Sequence, residues 1–162
     1  MKIKPVLQLT KTECGICCLS MLAGYYGYEM PIKYYREKVD IGRDGVSVKS
    51  IADILTEINF DVSFFRIDEF EYSNKKKFPV IIHTKNNHYI VWESFNKKTE
   101  SVVVVDPSVG RIKFQLSELI GMASGLVIYA FPTEKFVKKK EKESVWKPLK
   151  FLVKSISSKF VM

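Results

Sequence analysis

Apolar residues recur at helical spacing in the first third of the chain. Over residues 13–26 the apolar and small residues predict a buried helix that begins near Cys14. A second helical piece is expected over residues 31–39, because Pro31 is tolerated in the first turn of a helix. Ser47 is a suitable N-cap for a third helix over residues 48–59, in which the apolar residues form one stripe.

Beyond Asp61 the apolar residues cluster or alternate in short runs, as in strands, and turn-forming residues separate the runs. The predicted strands cover residues 62–67, 80–83, 89–92, 102–105, 111–114 and 126–129. Helices followed by a series of strands are typical of an α+β fold. The pattern therefore predicts N-terminal helices packed on a mostly antiparallel β-sheet.

The composition is that of one folded domain with an uneven charge. The chain has 162 residues, 46% of them hydrophobic, which suffices for a core. It has no long uncharged apolar run and no apolar stretch typical of a signal peptide, so synthesis in the cytosol is expected. The formal net charge is +8, yet nine of the 26 basic residues and only three of the 18 acidic residues lie in residues 133–162. With a nearly balanced remainder and only four Arg, the sequence does not indicate nucleic-acid binding.

The excess charge of the last thirty residues indicates a tether. Residues 135–143 are mostly Lys and Glu and are predicted to form a solvated linker. From Trp146 to Phe160, apolar residues then recur at helical spacing between lysines, which predicts a basic amphipathic helix. Such a helix can lie on an anionic membrane surface or continue into a larger protein. A frayed, solvated tail is the alternative.

Four side chains could together carry nucleophilic chemistry. Cys14 stands at the predicted helix start, where exposed backbone N–H groups and the helix dipole favour a thiolate. The only histidines, His83 and His88, lie around one predicted hairpin, and either could exchange a proton with the thiol. Asp106 ends a later strand and could orient the imidazole. Gln8 could donate its side-chain amide to an oxyanion.

Each of these residues also has an ordinary structural interpretation. A free cysteine is commonly buried, a histidine on a strand is usually a packing or surface residue, and Asp-Pro often only starts a turn. A zinc site built from Cys14, Cys17, Cys18, His83 and His88 is a rival use of the same atoms. The long gap between the cysteines and the histidines disfavours it. Cys17 and Cys18 are best interpreted as helix packing residues.

Three motifs together resemble one protein family. They are Gln8-Leu-Thr-Lys-Thr-Glu-Cys-Gly-Ile-Cys-Cys, Asn87-His-Tyr-Ile-Val and Asp106-Pro, and an Asp44-Gly-Val-Ser turn accompanies them. They are similar to the bacteriocin-processing cysteine peptidase domain at the N-terminus of peptidase-containing ABC transporters of the lantibiotic and bacteriocin exporter type. Glu13 replaces the usual Asp and Cys17 the usual Ala, and the resemblance covers residues 5–132.

The resemblance implies a papain-like cysteine peptidase fold and a role for each candidate residue. Cys14 would be the nucleophile, His88 rather than His83 the general base and acid, Asp106 the group that orients His88, and Gln8 part of the oxyanion hole. The implied reaction is removal of a leader peptide by cleavage after Gly-Gly, Gly-Ala or Gly-Ser. A catalytically silent leader-binding domain and a papain-like hydrolase of other specificity are the alternatives.

The resemblance also implies the surroundings of the domain. Residues 1–132 would be the peptidase domain, and residues 133–162 a basic linker and amphipathic segment leading to an absent transmembrane domain. The expected partners are a precursor peptide with an amphipathic leader helix and the membrane and nucleotide-binding domains of the same transporter, with no nucleic acid. No cofactor is expected for this domain, since ATP would bind only in the nucleotide-binding domain. The expected location is the cytoplasmic side of a bacterial plasma membrane.

Two questions stay open from the sequence. The residues that dock the leader belong to no motif that can be matched. Glu13 could favour the thiol form of Cys14 by like-charge repulsion, or it could stabilise the helix start as a cap.

Overall fold

The computed structural model describes residues 2–39, 41–43, 45–72, 74 and 77–141. The helices are a 3₁₀ turn at Lys11–Glu13, α1 at Cys14–Tyr25, α2 at Ile32–Arg36, α3 at Val48–Glu57 and α4 at Leu116–Met122. The three predicted helices are confirmed, and α4 was not predicted. Ser47 caps α3 as expected, because its Oγ accepts a 3.0 Å hydrogen bond from the Ser50 N–H.

The strands form one large antiparallel sheet and one small parallel pair. They are β1 at Tyr28–Glu29, β2 at Phe60–Arg66, β3 at Val80–Thr84, β4 at Tyr89–Asn96, β5 at Ser101–Asp106, β6 at Gly110–Gln115, β7 at Ala123–Pro132 and β8 at Lys139–Lys140. The large sheet has the order β2-β7-β3-β4-β5-β6, with every neighbouring pair antiparallel. The predicted α+β layout and its six long strands are confirmed.

Both faces of the sheet are covered, which explains the continuous apolar runs in its central strands. Alternate residues of those strands, such as Ile81 and Val91, pack with α1 and α3 in one core cluster. The residues between them, such as Ile82 and Trp92, pack in a second cluster with Phe70 and α4. The first cluster contains Cys14 and fixes the start of α1 against the sheet.

The beginning of the predicted linker contacts the domain. The β8 strand pairs in parallel with β1, and the Phe136 ring lies 5.0 Å from the ring of Phe60 between centroids. Residues 135–140 are therefore not simply a solvated linker, because a ring contact and strand pairing hold them. The predicted amphipathic helix between residues 146 and 160 lies outside the described residues. No helix in the described part of the chain combines the length and apolarity needed to span a membrane.

Candidate active site

Cys14 is the first residue of α1 and is 3% exposed. The backbone N–H groups of Gly15 and Tyr89 lie beside its sulfur and act to lower the pKa of the thiol. Close packing at Gly15 makes this possible: a Cβ there would lie 3.2 Å from the Val46 Cβ and 3.4 Å from the Tyr89 ring. The absence of a side chain at Gly15 thus lets the helix start approach β4, and the thiol meets the first residue of that strand.

His88 is delivered to Cys14 by the turn that joins β3 and β4. Asn87 has a positive φ of 54°, a conformation that asparagine tolerates better than most residues. The turn is closed by a 2.8 Å hydrogen bond from the Thr84 N–H to the His88 carbonyl. The His88 side chain lies beside the Cys14 thiol, and its Nε2 lies 2.8 Å from Asp106 Oδ1. Nδ1 is therefore the ring nitrogen left to face the sulfur.

Asp106 reaches His88 because β5 runs antiparallel to β4. Val91 pairs with Val105, so the end of β5 lies beside the beginning of β4. The backbone N–H and the hydroxyl of Ser108 donate to Asp106 Oδ1 at 2.7 and 2.6 Å. Burial acts to raise the pKa of Asp106, but the hydrogen bonds from His88 and Ser108 outweigh it and hold the pKa below its ordinary value. The carboxylate is thus ionised and fixed in position.

The protonation of Cys14 and His88 favours an ion pair. Burial acts to raise the pKa of Cys14, yet the hydrogen bonds from His88 and from the Tyr89 N–H outweigh it and lower the pKa. The hydrogen bonds of His88 with Asp106 and Cys14 raise the pKa of His88 to about 9. Both shifts favour a thiolate beside an imidazolium, which are the nucleophile and the proton donor that acyl transfer requires.

Gln8 lies in a segment that is held next to Asp106 on one side and next to Cys14 on the other. Its backbone N–H donates to the Pro107 carbonyl at 2.9 Å, directly after Asp106. The next two N–H groups, of Leu9 and Thr10, donate to Glu13 Oε2 at 2.9 and 3.3 Å, directly before Cys14. The Gln8 Oε1 atom is buried and accepts no hydrogen bond from the described residues. Backbone contacts therefore place Gln8.

Glu13 stabilises the helix start and acts little on the neighbouring thiol. It is 7% exposed, and its Oε1 accepts a 2.7 Å hydrogen bond from Arg36 Nε. Burial acts to raise the pKa of Glu13, but Arg36 and the N–H groups of Leu9 and Thr10 lower it. Its charge helps to raise the pKa of Cys17 to about 12, whereas the groups acting on Cys14 are His88 and backbone N–H groups. The capping alternative is thus favoured.

The other candidate ligands are directed elsewhere. His83 bonds through Nδ1 to Ser124 Oγ at 2.8 Å and through Nε2 to Asn87 Oδ1 at 3.1 Å. Cys17 and Cys18 are buried in α1. Within the described ranges, no three metal-binding side chains form a group that could hold an ion, so the zinc alternative has no set of ligands there.

Sequence reasoning missed several groups that shape the site. Ser108 holds Asp106, and an Asp followed two residues later by Ser is a recognisable turn pattern that could have indicated it. Arg36 pairs with Glu13 across 23 residues of sequence. The Tyr89 contact uses a backbone N–H, which carries no residue-type signal.

The fold and the geometry agree with a family comparison. Residues 2–135 match the family model described as the Peptidase C39 family. This chain belongs to the Peptidase C39 family. The C39 domain is accordingly a cysteine peptidase domain, and the family indicated by its three motifs is confirmed.

Curated relatives of the C39 domain are much longer proteins. The lacticin-481/lactococcin-DR transport/processing ATP-binding protein of Lactococcus lactis subsp. lactis is 30% identical over 157 residues, which cover 94% of this chain and 22% of that protein. The colicin V secretion/processing ATP-binding protein of Escherichia coli is 26% identical over 133 residues, which cover 82% of this chain and 19% of that protein. The chain thus spans about a fifth of the length of these relatives.

Solved structures confirm the predicted papain-like fold of the C39 domain. A double glycine motif protease from an AMS/PCAT transporter, in complex with the leader peptide, has a TM-score of 0.71 and 26% identity, with 82% of this chain and 93% of that chain covered. The peptidase domain of Streptococcus ComA has a TM-score of 0.73 and 22% identity, with 81% and 99% covered. At 22% identity, the match to the Streptococcus ComA domain shows only that the fold is shared.

Proposed function

We propose that this C39 domain removes leader peptides from bacteriocin- or lantibiotic-type precursors by cutting after a double-glycine motif. The observation that carries the proposal is the alignment of Cys14, His88 and Asp106: His88 lies beside the Cys14 thiol and lowers its pKa, and the Nε2 of His88 lies 2.8 Å from Asp106 Oδ1. It supplies a thiolate, a proton donor and a fixed carboxylate at the start of a helix. A relative solved with a leader peptide supports the substrate class.

In the proposed reaction the Cys14 thiolate attacks the carbonyl carbon that precedes the cut, and the carbonyl oxygen becomes an oxyanion. The side-chain amide of Gln8 and the backbone N–H of Cys14 donate to this oxygen. The tetrahedral intermediate then collapses, and His88 gives its proton to the departing amine nitrogen as the C–N bond breaks. The product is a thioester between the leader peptide and Cys14, with the mature peptide released.

Hydrolysis of the thioester uses the same residues in reverse order. Neutral His88 takes a proton from a water molecule, whose oxygen attacks the thioester carbonyl. Collapse of the second intermediate breaks the C–S bond and restores the thiolate and the imidazolium. Asp106 keeps the imidazole ring oriented throughout and stabilises its positive charge. These residues supply both the nucleophile and the acid–base groups, so we propose that the domain requires no cofactor of its own.

The lengths and names of its relatives support a proposal for the setting of the domain. The transport/processing ATP-binding proteins that match this chain are more than four times as long as it. We therefore propose that the domain works beside the membrane and nucleotide-binding domains of one exporter, on the cytoplasmic side of a bacterial membrane. ATP would bind only in the nucleotide-binding domain. The proposed substrate is a precursor with an amphipathic leader helix.

Incubation with a double-glycine precursor tests the proposed activity. The chain and its Cys14→Ala variant are each mixed with the precursor, and the products are identified by mass spectrometry. Cleavage after Gly-Gly by the unmodified chain and none by Cys14→Ala is expected. Cys17→Ala is the matched control, because Cys17 is equally buried one turn later and should not affect cleavage.

Three results would contradict the proposal. Cleavage that persists in Cys14→Ala would exclude the assigned nucleophile. A complex with the precursor but no products from the unmodified chain would indicate a leader-binding module. Turnover that survives replacement of Gly-Gly by bulky residues would indicate a hydrolase of other specificity.

The domain boundary can be tested by truncation. A chain that ends at Glu141 keeps the β1–β8 pair and the contact of Phe136, and we expect it to retain cleavage. A chain that ends at Pro132 loses both and is expected to unfold at lower urea concentration. Equal stability of the two truncated chains would show that residues 133–141 add nothing to the domain.

A further inference from the structure

A half-buried ion pair holds the N-terminal segment on the sheet. Arg111 of β6 donates to Glu93 of β4 through Nε and Nη2, each at 3.0 Å. The pair also binds the backbone of Ile3: the Ile3 N–H donates to Glu93 Oε1 at 2.6 Å, and Arg111 Nη2 donates to the Ile3 carbonyl at 2.5 Å. We call these three residues the Ile3 clamp. They bring together positions that are 90 and 108 residues apart in sequence.

The clamp depends on an irregularity in β4. The pairing of β4 with β5 shifts between Trp92 and Ser94, so Glu93 stands at a β-bulge. Bulges redirect side chains, and here the Glu93 carboxylate reaches over β5 to the strand beyond it. Only 8% of the Glu93 side chain is exposed. Burial acts to raise the pKa of Glu93, but Arg111 and the Ile3 N–H outweigh it, so the carboxylate stays charged.

We propose that the Ile3 clamp is a positioning device for Gln8, so that Glu93 and Arg111 contribute to catalysis through the oxyanion hole. This inference rests on the role proposed for Gln8 above. Gln8 lies five positions after Ile3 in the sequence, a span of at most about 18 Å of extended chain. The clamp and the bond from the Gln8 N–H to Pro107 therefore fix both ends of a short segment.

The surroundings of Gln8 explain why such a device is needed. No described residue donates to its side-chain oxygen, so the direction of the amide is set by the backbone. A donor helps an oxyanion only when it lies within a few tenths of an ångström of the productive position. The clamp sits on the strands that flank Asp106, because Val105 pairs with both Val91 of β4 and Arg111 of β6. One rigid sheet thus sets the positions of Gln8 and of the His88–Asp106 pair.

A double-variant cycle separates positioning from a general structural role. Arg111→Met, Gln8→Ala and the combined variant are compared by kcat and KM with a double-glycine precursor. Arg111→Met is expected to lower kcat by about 10- to 100-fold with little change in KM, because misplacing a reacting group by about 1 Å has effects of this size. In the Gln8→Ala background the same change should have almost no further effect. Arg111→Lys keeps the charge and should recover part of kcat.

Control measurements test whether the loss of kcat in Arg111→Met arises from misplacement of Gln8. Arg66→Met breaks an exposed ion pair with Asp68 at the far edge of the sheet and should leave kcat unchanged. The alkylation rate of Cys14 should be the same in Arg111→Met, since the thiolate depends on His88 and not on Gln8. If Arg111→Met does not fold, deletion of residues 1–4 removes the clamped segment without leaving Glu93 unpaired. It should cause the same loss of kcat, again only when Gln8 is present.

Hydrogen exchange gives a reading that needs no substrate. The Gln8 amide, which is bonded to Pro107, should exchange at least tenfold faster in Arg111→Met or in the deletion variant. An unchanged exchange rate of the Gln8 amide would overturn the positioning role of the clamp. So would a double variant in which Arg111→Met lowers kcat as much in the Gln8→Ala background as it does in the unmodified chain. Failure of the unmodified chain to cut any precursor would instead contradict the proposed function, and the exchange measurement would still test the clamp.

Discussion

The charge of Asp106 is expected to set the protonation of His88, and Asp106→Asn tests this. The substitution keeps an oxygen that can accept the 2.8 Å hydrogen bond from His88 Nε2, but it removes the negative charge. The ring should therefore stay oriented while the imidazolium loses its main stabilising partner. A change in pH dependence, and not a loss of fold, is the expected result.

The size of the effect follows from the raised pKa of His88. The rise from 6.5 to about 9 corresponds to about 3.4 kcal/mol, and Asp106 is the larger of its two favourable partners. A hydrogen bond to a charged group contributes about 1.5–3 kcal/mol. We therefore expect Asp106→Asn to lower the pKa of His88 to about 7–8. Below that pH the variant should retain most of its activity.

The assay is the pH dependence of kcat/KM between about pH 5 and pH 10. The thiolate must form on the acid side, and the imidazolium must persist on the alkaline side, so a bell-shaped profile is expected. Its alkaline limb should lie near pH 9 in the unmodified chain and about 1–2 pH units lower in Asp106→Asn. Alkylation of Cys14 should also slow at neutral pH, because a smaller fraction is thiolate.

An exposed aspartate provides the control for this substitution. Asp61→Asn makes the same chemical change on β2, at the far edge of the sheet, and should leave the profile unmoved. An alkaline limb that stays near pH 9 in Asp106→Asn would refute the reasoning, since another group would then hold the proton on His88. A collapse of activity at all pH values with normal folding would show that the carboxylate does more than set a pKa.

Three further predictions concern stability. Gly15→Ala should destabilise the domain by about 1–3 kcal/mol in urea unfolding, because the new Cβ would crowd Val46 and Ile51. Gly24→Ala, with open space in the same helix, should not destabilise it. Arg36→Met should lower the free energy of unfolding by about 3 kcal/mol, because it leaves the buried Glu13 carboxylate without its cationic partner. Adding Glu13→Gln should recover part of this loss of stability. The raised pKa of His88 contributes stability that is present below about pH 6.5 and is lost as pH rises through about 9, whereas the lowered pKa of Cys14 acts in the opposite direction; in the Cys14→Ala variant, which lacks that opposing contribution, unfolding midpoints should therefore fall as pH rises above about 6.5.

The fold was predictable where a pattern repeats along the chain. The apolar stripe of α3 and its Ser47 cap, and the strand that ends in Asp106, follow from local sequence. The short helix α4 did not, because seven residues carry too few apolar positions to show a period. The pairing of β8 with β1 joins charged, exposed lysines to a two-residue strand, and no local signal marks such a contact.

Local sequence likewise predicts some residues of the candidate site but not the contacts that depend on strand register. Residue types in order along the chain pointed to Cys14, one of the two histidines and Asp106, and the structure brings Cys14, His88 and Asp106 together. The choice between His83 and His88 needed a motif, since both histidines lie around one turn. The Ile3 clamp joins the backbone of Ile3 to the side chains of Glu93 and Arg111, and the bulge at Glu93 leaves no mark in the apolar alternation. Contacts of this kind are determined by register, which sequence spacing alone does not give.

The three cysteines of α1 show what activates a thiol here. All three are buried within two turns of one helix, and burial alone raises the pKa of a thiol. The pKa of Cys17 is raised to about 12 and that of Cys18 is raised well above its ordinary value, whereas the pKa of Cys14 is lowered. Its position at the start of the helix exposes backbone N–H groups to Cys14. The difference in pKa from the other two cysteines also requires His88 and the N–H of Tyr89, which lie at the start of β4. Thiolate formation is therefore a property of the junction between α1 and β4, and it should be lost whenever that junction opens, even if α1 stays helical.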